Sequence, residues 1–290
     1  FDNIQLQEVT HNNNTTHTGL LISRSEVNVA PTIYMEQYYK QYQDTGDMDA
    51  VIKEIAETYK ASLESTNDLQ TEIFNQKEQY FSNCYLKVVN YEKNKEMLKD
   101  VPYKKFMDLA VTIRMLVRVD ETGMASAIVT HDHTARLGIN EKELYNAALE
   151  NTEFLFPVRI NKLEDVIRDL DSNGLVQEEL PDTGIYVLSN LPRIAGATTI
   201  LYAQDQITEL AEEHGCGFYI VPSSTREVLL CPDNDEMDPE MLQRTAMEVN
   251  EYVVSDTEFL SNSIYHFDKD RQEIKMELPD PQIDDRQNQR

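Results

Sequence analysis

Cations are scarce in this chain: Lys and Arg number 26 against 52 Asp and Glu, a formal net charge of -26 over 290 residues. A phosphate-tracking surface releases counterions through clustered Lys and Arg. The mean field here repels a polyanion, so a nucleic-acid partner is disfavoured unless folding gathers a basic patch. Net charge reports first on solubility and association kinetics. Its sharper readings are an acidic surface that meets a basic protein, or one that imitates DNA.

Cysteine is nearly absent. Cys84, Cys216 and Cys231 make an odd count with no C-x-x-C. That argues against a disulfide framework and for a reducing, cytoplasmic setting. No stretch approaches the ~20 apolar residues of a membrane helix, so no membrane partner is expected. No signal peptide stands at the start, although an opening Phe1 in place of Met fits a trimmed start or a removed export signal. Gly and Pro total 9 and 10, and no tract is low-complexity. The composition is globular, and a chain of this size buries roughly three quarters of its unfolded surface.

Catalytic signatures are missing too. There is no G-x-S-x-G, S-x-x-K, G-x-x-x-x-G-K-[ST], G-x-G-x-x-G or H-E-x-x-H, which removes the familiar nucleotide, serine-hydrolase and zinc-protease readings. No cofactor is expected.

What is present is a run of paired strands and amphipathic helices. IQLQEV and GLLISRSEVNV flank HNNNTTHT, which reads as a hairpin with a mobile tip, closed by Pro31. Tyr34, Met35, Tyr38, Tyr39 and Tyr42 follow at helical spacing. Asp47 is an N-cap for a helix whose face is Val51, Ile55 and Tyr59. A short strand spans 84–89, and Met97 and Leu98 form a helical turn that ends before Pro102. FMDLAVTIRMLVRV, the turn DETG and MASAIVT read as two more strands. Asn140 and Glu143 form a capping box for a helix buried through Leu144, Tyr145, Ala148 and Leu149. Leu163, Val166, Ile167 and Leu170 mark another short helix.

The richest block is 196–233. Ile207, Leu210 and Ala211 face inward on a helix that stops at His214-Gly215. GFYIV and REVLLC then pair across PSST. Asp238-Pro239-Glu240 starts a helix faced by Leu242, Ala246, Val249 and Val253. SIYHF and EIKME form a last hairpin, before the tail LPDPQIDDRQNQR. Strands in adjacent pairs with helices between them predict α+β architecture with largely antiparallel sheet. Two α+β regions are expected, 1–100 and 101–278, with 279–290 a disordered tail.

Four passages carry a resemblance: APTIYMEQYYKQY; DLAVTIRMLVR through GMASAIVT; LGINEKELYNAALENT; and YVLSN with ATTILYAQDQITELAEEHG and FYIVPSSTREVLLCPD. Together the chain resembles an uncharacterised family of bacterial proteins, a domain of unknown function. HNNNTTHTG departs from the family, where a Gly more often follows the Asn pair directly. The passages are fold-like, and the resemblance implies no established activity.

Two places invite chemistry. His131-Asp132-His133, read as a strand end, aims alternate imidazoles to one side, where both reach one ion. The competing reading is an exposed turn, because the third and fourth ligands are missing and His11, His17, His214 and His266 are scattered. Ser223, Ser224, Arg226 and Glu227 lie in the loop between two apolar strands, and polar loops on a rigid scaffold commonly bind. The competing reading there is a turn whose hydroxyls satisfy local backbone. Cys216 follows a helix C-terminus, whose negative potential raises a thiol pKa and opposes reactivity. The leading functional expectation is a non-enzymatic, acidic protein-interaction module with a basic partner. The alternatives are a hydrolase-like enzyme with an unrecognised site around His131 and His133, and a DNA mimic.

Overall fold

The computed structural model describes residues 3–23, 31–66, 71–120, 123–171, 180–191, 194–234 and 237–283. The fold is α+β with three antiparallel sheets, as the paired strands imply.

The first sheet is β1 (Asn3–Thr10), β2 (Thr16–Ser23) and β3 (Thr32–Tyr34). Residues 24–30, which hold the end of the run expected to close at Pro31, lie outside the described segments; after Pro31, Thr32–Tyr34 pairs with β2. Two helices, α1 (Glu36–Thr45) and α2 (Met48–Thr66), cover it. Ile33, Tyr38, Val51 and Tyr59 form their small core. Asp47 caps α2 by accepting from the Ala50 amide at 3.0 Å.

After α3 (Lys77–Asn83), the second sheet is built around β6 (Leu109–Asp120). β4 (Cys84–Asn90) runs along one edge of β6. β5 (Tyr103–Phe106) and β7 (Gly123–Ile128) share its other edge, β5 pairing with Leu109–Thr112 and β7 with Arg114–Asp120. FMDLAVTIRMLVRV is therefore two strands, broken at Met107, where φ is 54°. α4 (His131–Arg136) and α5 (Glu141–Leu155) follow; Asn140 Oδ1 accepts from the Lys142 and Glu143 amides.

The third sheet has the order β13-β12-β10-β11-β9-β8. Its strands are β8 (Val158–Lys162), β9 (Tyr186–Asn190), β10 (Phe218–Val221), β11 (Val228–Pro232), β12 (Ile264–Asp268) and β13 (Glu273–Leu278). α6 (Leu163–Leu170), α7 (Gln204–His214) and α8 (Pro239–Tyr252) complete the chain. α7 ends at Gly215 with φ of 72°, the left-handed stop expected there. Val249 and Val253 of the expected α8 face are exposed, and Ala246 is buried.

One large core joins the second and third sheets. Leu86, Val88, Val111 and Ile113 meet Leu188, Phe218, Ile220 and Leu230, with Leu144, Ala148 and Ile207 from the helices. Residue 100, the expected division, falls between β4 and β6, which pair from Cys84–Met115 to Asn90–Leu109. Asp280, in the expected tail, is buried, and residues 284–290 lie outside the described segments.

Candidate functional site: a cationic floor under an acidic protein

Alternation along β4 divides its side chains. Cys84, Leu86 and Val88 face the large core. Tyr85, Lys87 and Val89 take the opposite face. Register places Arg114, Thr112 and Ala110 of β6 beside them, and Ile128 of β7 beside Arg114. Lys87, Val89, Thr112, Arg114 and Ile128 are the floor of a cleft of about 1240 Å³.

Its walls come from five distant segments: the β1–β2 tip at His11 and Asn12, the 96–100 turn, Ile194–Ala195, Thr225–Arg226 and Thr257–Glu258. Asparagines hold these together. Asn12 Nδ2 donates to the Thr257 carbonyl at 2.8 Å, and Asn13 Nδ2 to those of Asp256 and Phe259 at 2.8 and 2.7 Å. Asn94 Oδ1 accepts from the Asn13 amide, Asn94 Nδ2 donates to Asn13 Oδ1, and Asn90 Nδ2 donates to the Leu260 carbonyl. The tip that the polar run marked as mobile is docked. Asn13 reaches this geometry with φ of 62°, a conformation asparagine tolerates better than most side chains.

The other wall is equally fixed. Thr225 donates its amide to the Glu258 carbonyl at 2.8 Å, and Ser189 Oγ donates to the Arg226 carbonyl at 2.8 Å. Gly196 passes so close to Arg226 that an added Cβ would overlap its carbonyl oxygen, at 1.8 Å. Glycine is required there by the approach of two backbones.

The electrostatics of the floor are unusual for this chain. Glu258 is paired with the Arg226 guanidinium, the Nε bond being 2.6 Å, and Glu96 with Lys99. Arg114 donates to Ser126 Oγ at 3.0 Å and to the Ser126 carbonyl at 3.2 Å, both neutral acceptors. Among the described residues the Lys87 ammonium makes no hydrogen bond or ion pair. Burial, and after it the Arg114 charge, pushes Lys87 down to about 8, against the pull of Glu258. Two adjacent cations thus lack carboxylate partners in a protein with twice as many acids as bases.

Of the loop residues expected to bind, Arg226 reaches the cleft, and Thr225, which the sequence reading passed over, stands beside it. Ser224 is buried in an isolated bridge with Phe259, and its Oγ accepts from the Arg226 amide at 3.1 Å. The Ser223 carbonyl accepts from the Leu260 amide, and Glu227 faces Ser224 Oγ at 3.5 Å. Ser223, Ser224 and Glu227 thus build the wall, with the Ser224 hydroxyl and the Ser223 carbonyl both accepting from backbone amides.

His131 and His133 lie in the first turn of a helix, not on a strand. Thr130 caps it and forms a capping box with His133. Helical neighbours two apart point to different sides. His131 Nδ1 meets Glu141 at 2.7 Å, while His133 accepts from the Thr130 amide and lies near the Phe74 and Tyr80 rings. Burial lowers the His133 pKa. Among the described residues no group of three His, Cys, Asp or Glu is placed to hold a metal. The Cys216 thiol is raised as expected, first by burial and then by Asp233.

Lys87 and Arg114 were legible only as single charges inside apolar strand text, CYLKVV and VTIRMLV. Each reads as an outward residue on a strand, and pairing of β4 with β6 is what makes them neighbours.

A family model matches residues 2–269, and its description is a family of unknown function, DUF5688. No curated protein and no solved structure matches the chain.

Proposed function

Starting from a chain that belongs to the DUF5688 family, whose function is unknown, we propose that this protein binds a small anionic molecule in the cleft over β4, β6 and β7. The observation that carries the reading is the Lys87–Arg114 pair on the cleft floor, two cations without carboxylate partners. Both side chains are partly buried, and a partly desolvated charge left unpaired costs stability that a ligand's countercharge offsets. Val89, Ile128 and Met97 add apolar lining, the mixture usual in small-molecule sites. A long polyanion fits poorly. Glu96, Asp100 and Glu258 line the same cleft, and the surrounding surface is acidic.

Thermal unfolding in phosphate, sulfate or citrate, against chloride at equal ionic strength, tests this. Multivalent anions are expected to raise the melting temperature saturably. Ligand at a hundredfold above its Kd stabilises by about 2.7 kcal/mol. Lys87→Met should remove most of that gain. Equal shifts in all salts, or a full shift in Lys87→Met, would sink the reading.

The exposed acids outside the cleft, such as Glu209, Glu212 and Glu213 on the outer side of α7, support a separate proposal of a basic protein partner.

A further inference from the structure

The chemistry of Lys87 goes further than charge. An ammonium that hydrogen-bonds to carboxylates or carbonyls is held as a cation and has no lone pair to offer. Lys87 has no such partner among the described residues, although it sits over a cleft with both polar and apolar walls. Its strand neighbour across the register is Thr112, whose hydroxyl donates to the Lys87 carbonyl at 3.0 Å and leaves the amine alone. The diagonal neighbour is Arg114, within reach of a long side chain on the same face. A lysine kept short of hydration beside a second cation is a recognised arrangement for an amine nucleophile. The guanidinium is also the natural holder of the planar anionic group of an incoming ligand.

We propose that Lys87 forms an imine with the carbonyl carbon of a small aldehyde or ketone whose carboxylate or phosphate is held by Arg114. The inference rests on the anion-binding reading of the cleft. The neutral amine bonds through nitrogen to the carbonyl carbon. Its two hydrogens leave with the carbonyl oxygen as one water, and a neutral carbon–nitrogen double bond remains. No oxidant or metal is needed. The other cations of the cleft are committed, Arg226 to Glu258 and Lys99 to Glu96, so they serve poorly as nucleophile or anion holder. Burial and Arg114 lower Lys87 to about 8, so a useful fraction of the amine is neutral near physiological pH.

The full chain is incubated at pH 8 with pyridoxal 5′-phosphate in one arm and glyoxylate in the other, then reduced with borohydride. Peptide mass mapping locates the secondary amine. The expected result is labelling of Lys87 roughly tenfold or more faster than the exposed Lys53 and Lys60, in at least one arm. Inorganic phosphate should slow it, and Lys87→Arg, which keeps the charge, should abolish it. Labelling confined to exposed lysines in both arms overturns the imine. If multivalent anions still stabilise the protein while Lys87 stays unlabelled, the imine fails and the anion site stands. If neither is seen, both fail.

Discussion

Lys87 illustrates how a single side chain can be costly to a fold and useful to a site. Its ordinary value is 10.5 and burial takes it to about 8. Below pH 8 the folded and unfolded chains both carry the proton, and the folded chain bears the full cost of the desolvated charge. Between pH 8 and 10.5 the folded chain has released a proton that the unfolded chain keeps, so stability rises with pH. Above 10.5 both are neutral and the cost is gone. A shift of this size corresponds to roughly 3 kcal/mol before any discount for residual solvent. Lys87→Met should therefore raise the unfolding free energy at pH 7, read from urea denaturation, by an amount on the order of 1–3 kcal/mol, a difference that shrinks towards pH 10.5. A variant that is less stable at pH 7, or whose advantage does not change with pH, would contradict this account.

At the scale of elements, the walls of the cleft are loops, and what holds them is amide chemistry. The β1–β2 tip spends Asn12 and Asn13 on carbonyls of 256–259 and on Asn94. Each such bond contributes about 0.5–1.5 kcal/mol net, and a buried carbonyl left without a donor costs more. Asn13→Ala also places a residue with no liking for positive φ at 62°. The expected loss is about 2–4 kcal/mol in denaturant unfolding, with faster amide exchange in the tip and weaker anion binding. Unchanged stability and exchange would mean that the tip is held by something else. The hairpin itself was plain in the sequence, because two β-rich runs around an Asn run admit little else. Its docking was not, since the acceptors lie more than 240 residues away.

For the whole molecule the governing number is the net charge of -26. Like charges repel in the compact state, and salt screens them. Going from 0.01 M to 0.15 M sodium chloride shortens the Debye length from about 30 to about 8 Å. Stability should rise over that range, read as a higher urea midpoint, and the rise should be the same in Lys87→Met because it comes from the surface. A falling midpoint would place the dominant electrostatics in attractive pairs. The described residues contain no helix long and apolar enough to cross a membrane. Asp108 ties the second sheet to the third: it accepts from Ser261, Ser263 and Tyr265, two of these bonds being 2.5 Å, in addition to the shared apolar core.

The chain by itself determined its class and most of its elements. Alternation and helical periodicity are local properties, so β10–β11, β12–β13, α5, α7 and α8 could be read directly, as could the family resemblance from four passages. Helix or strand in a short polar run such as His131–His133 could not, because a Thr130 cap decided it. The cleft belongs wholly to tertiary structure. Which strand lies beside β4, and therefore that Lys87 meets Arg114, depends on pairing across more than twenty residues of chain. Whether a lysine on an outward face is solvated or walled in depends on loops that arrive from residues 11, 195, 226 and 258. Burial and neighbouring charge set the chemistry of a side chain, and neither exists until the chain has folded.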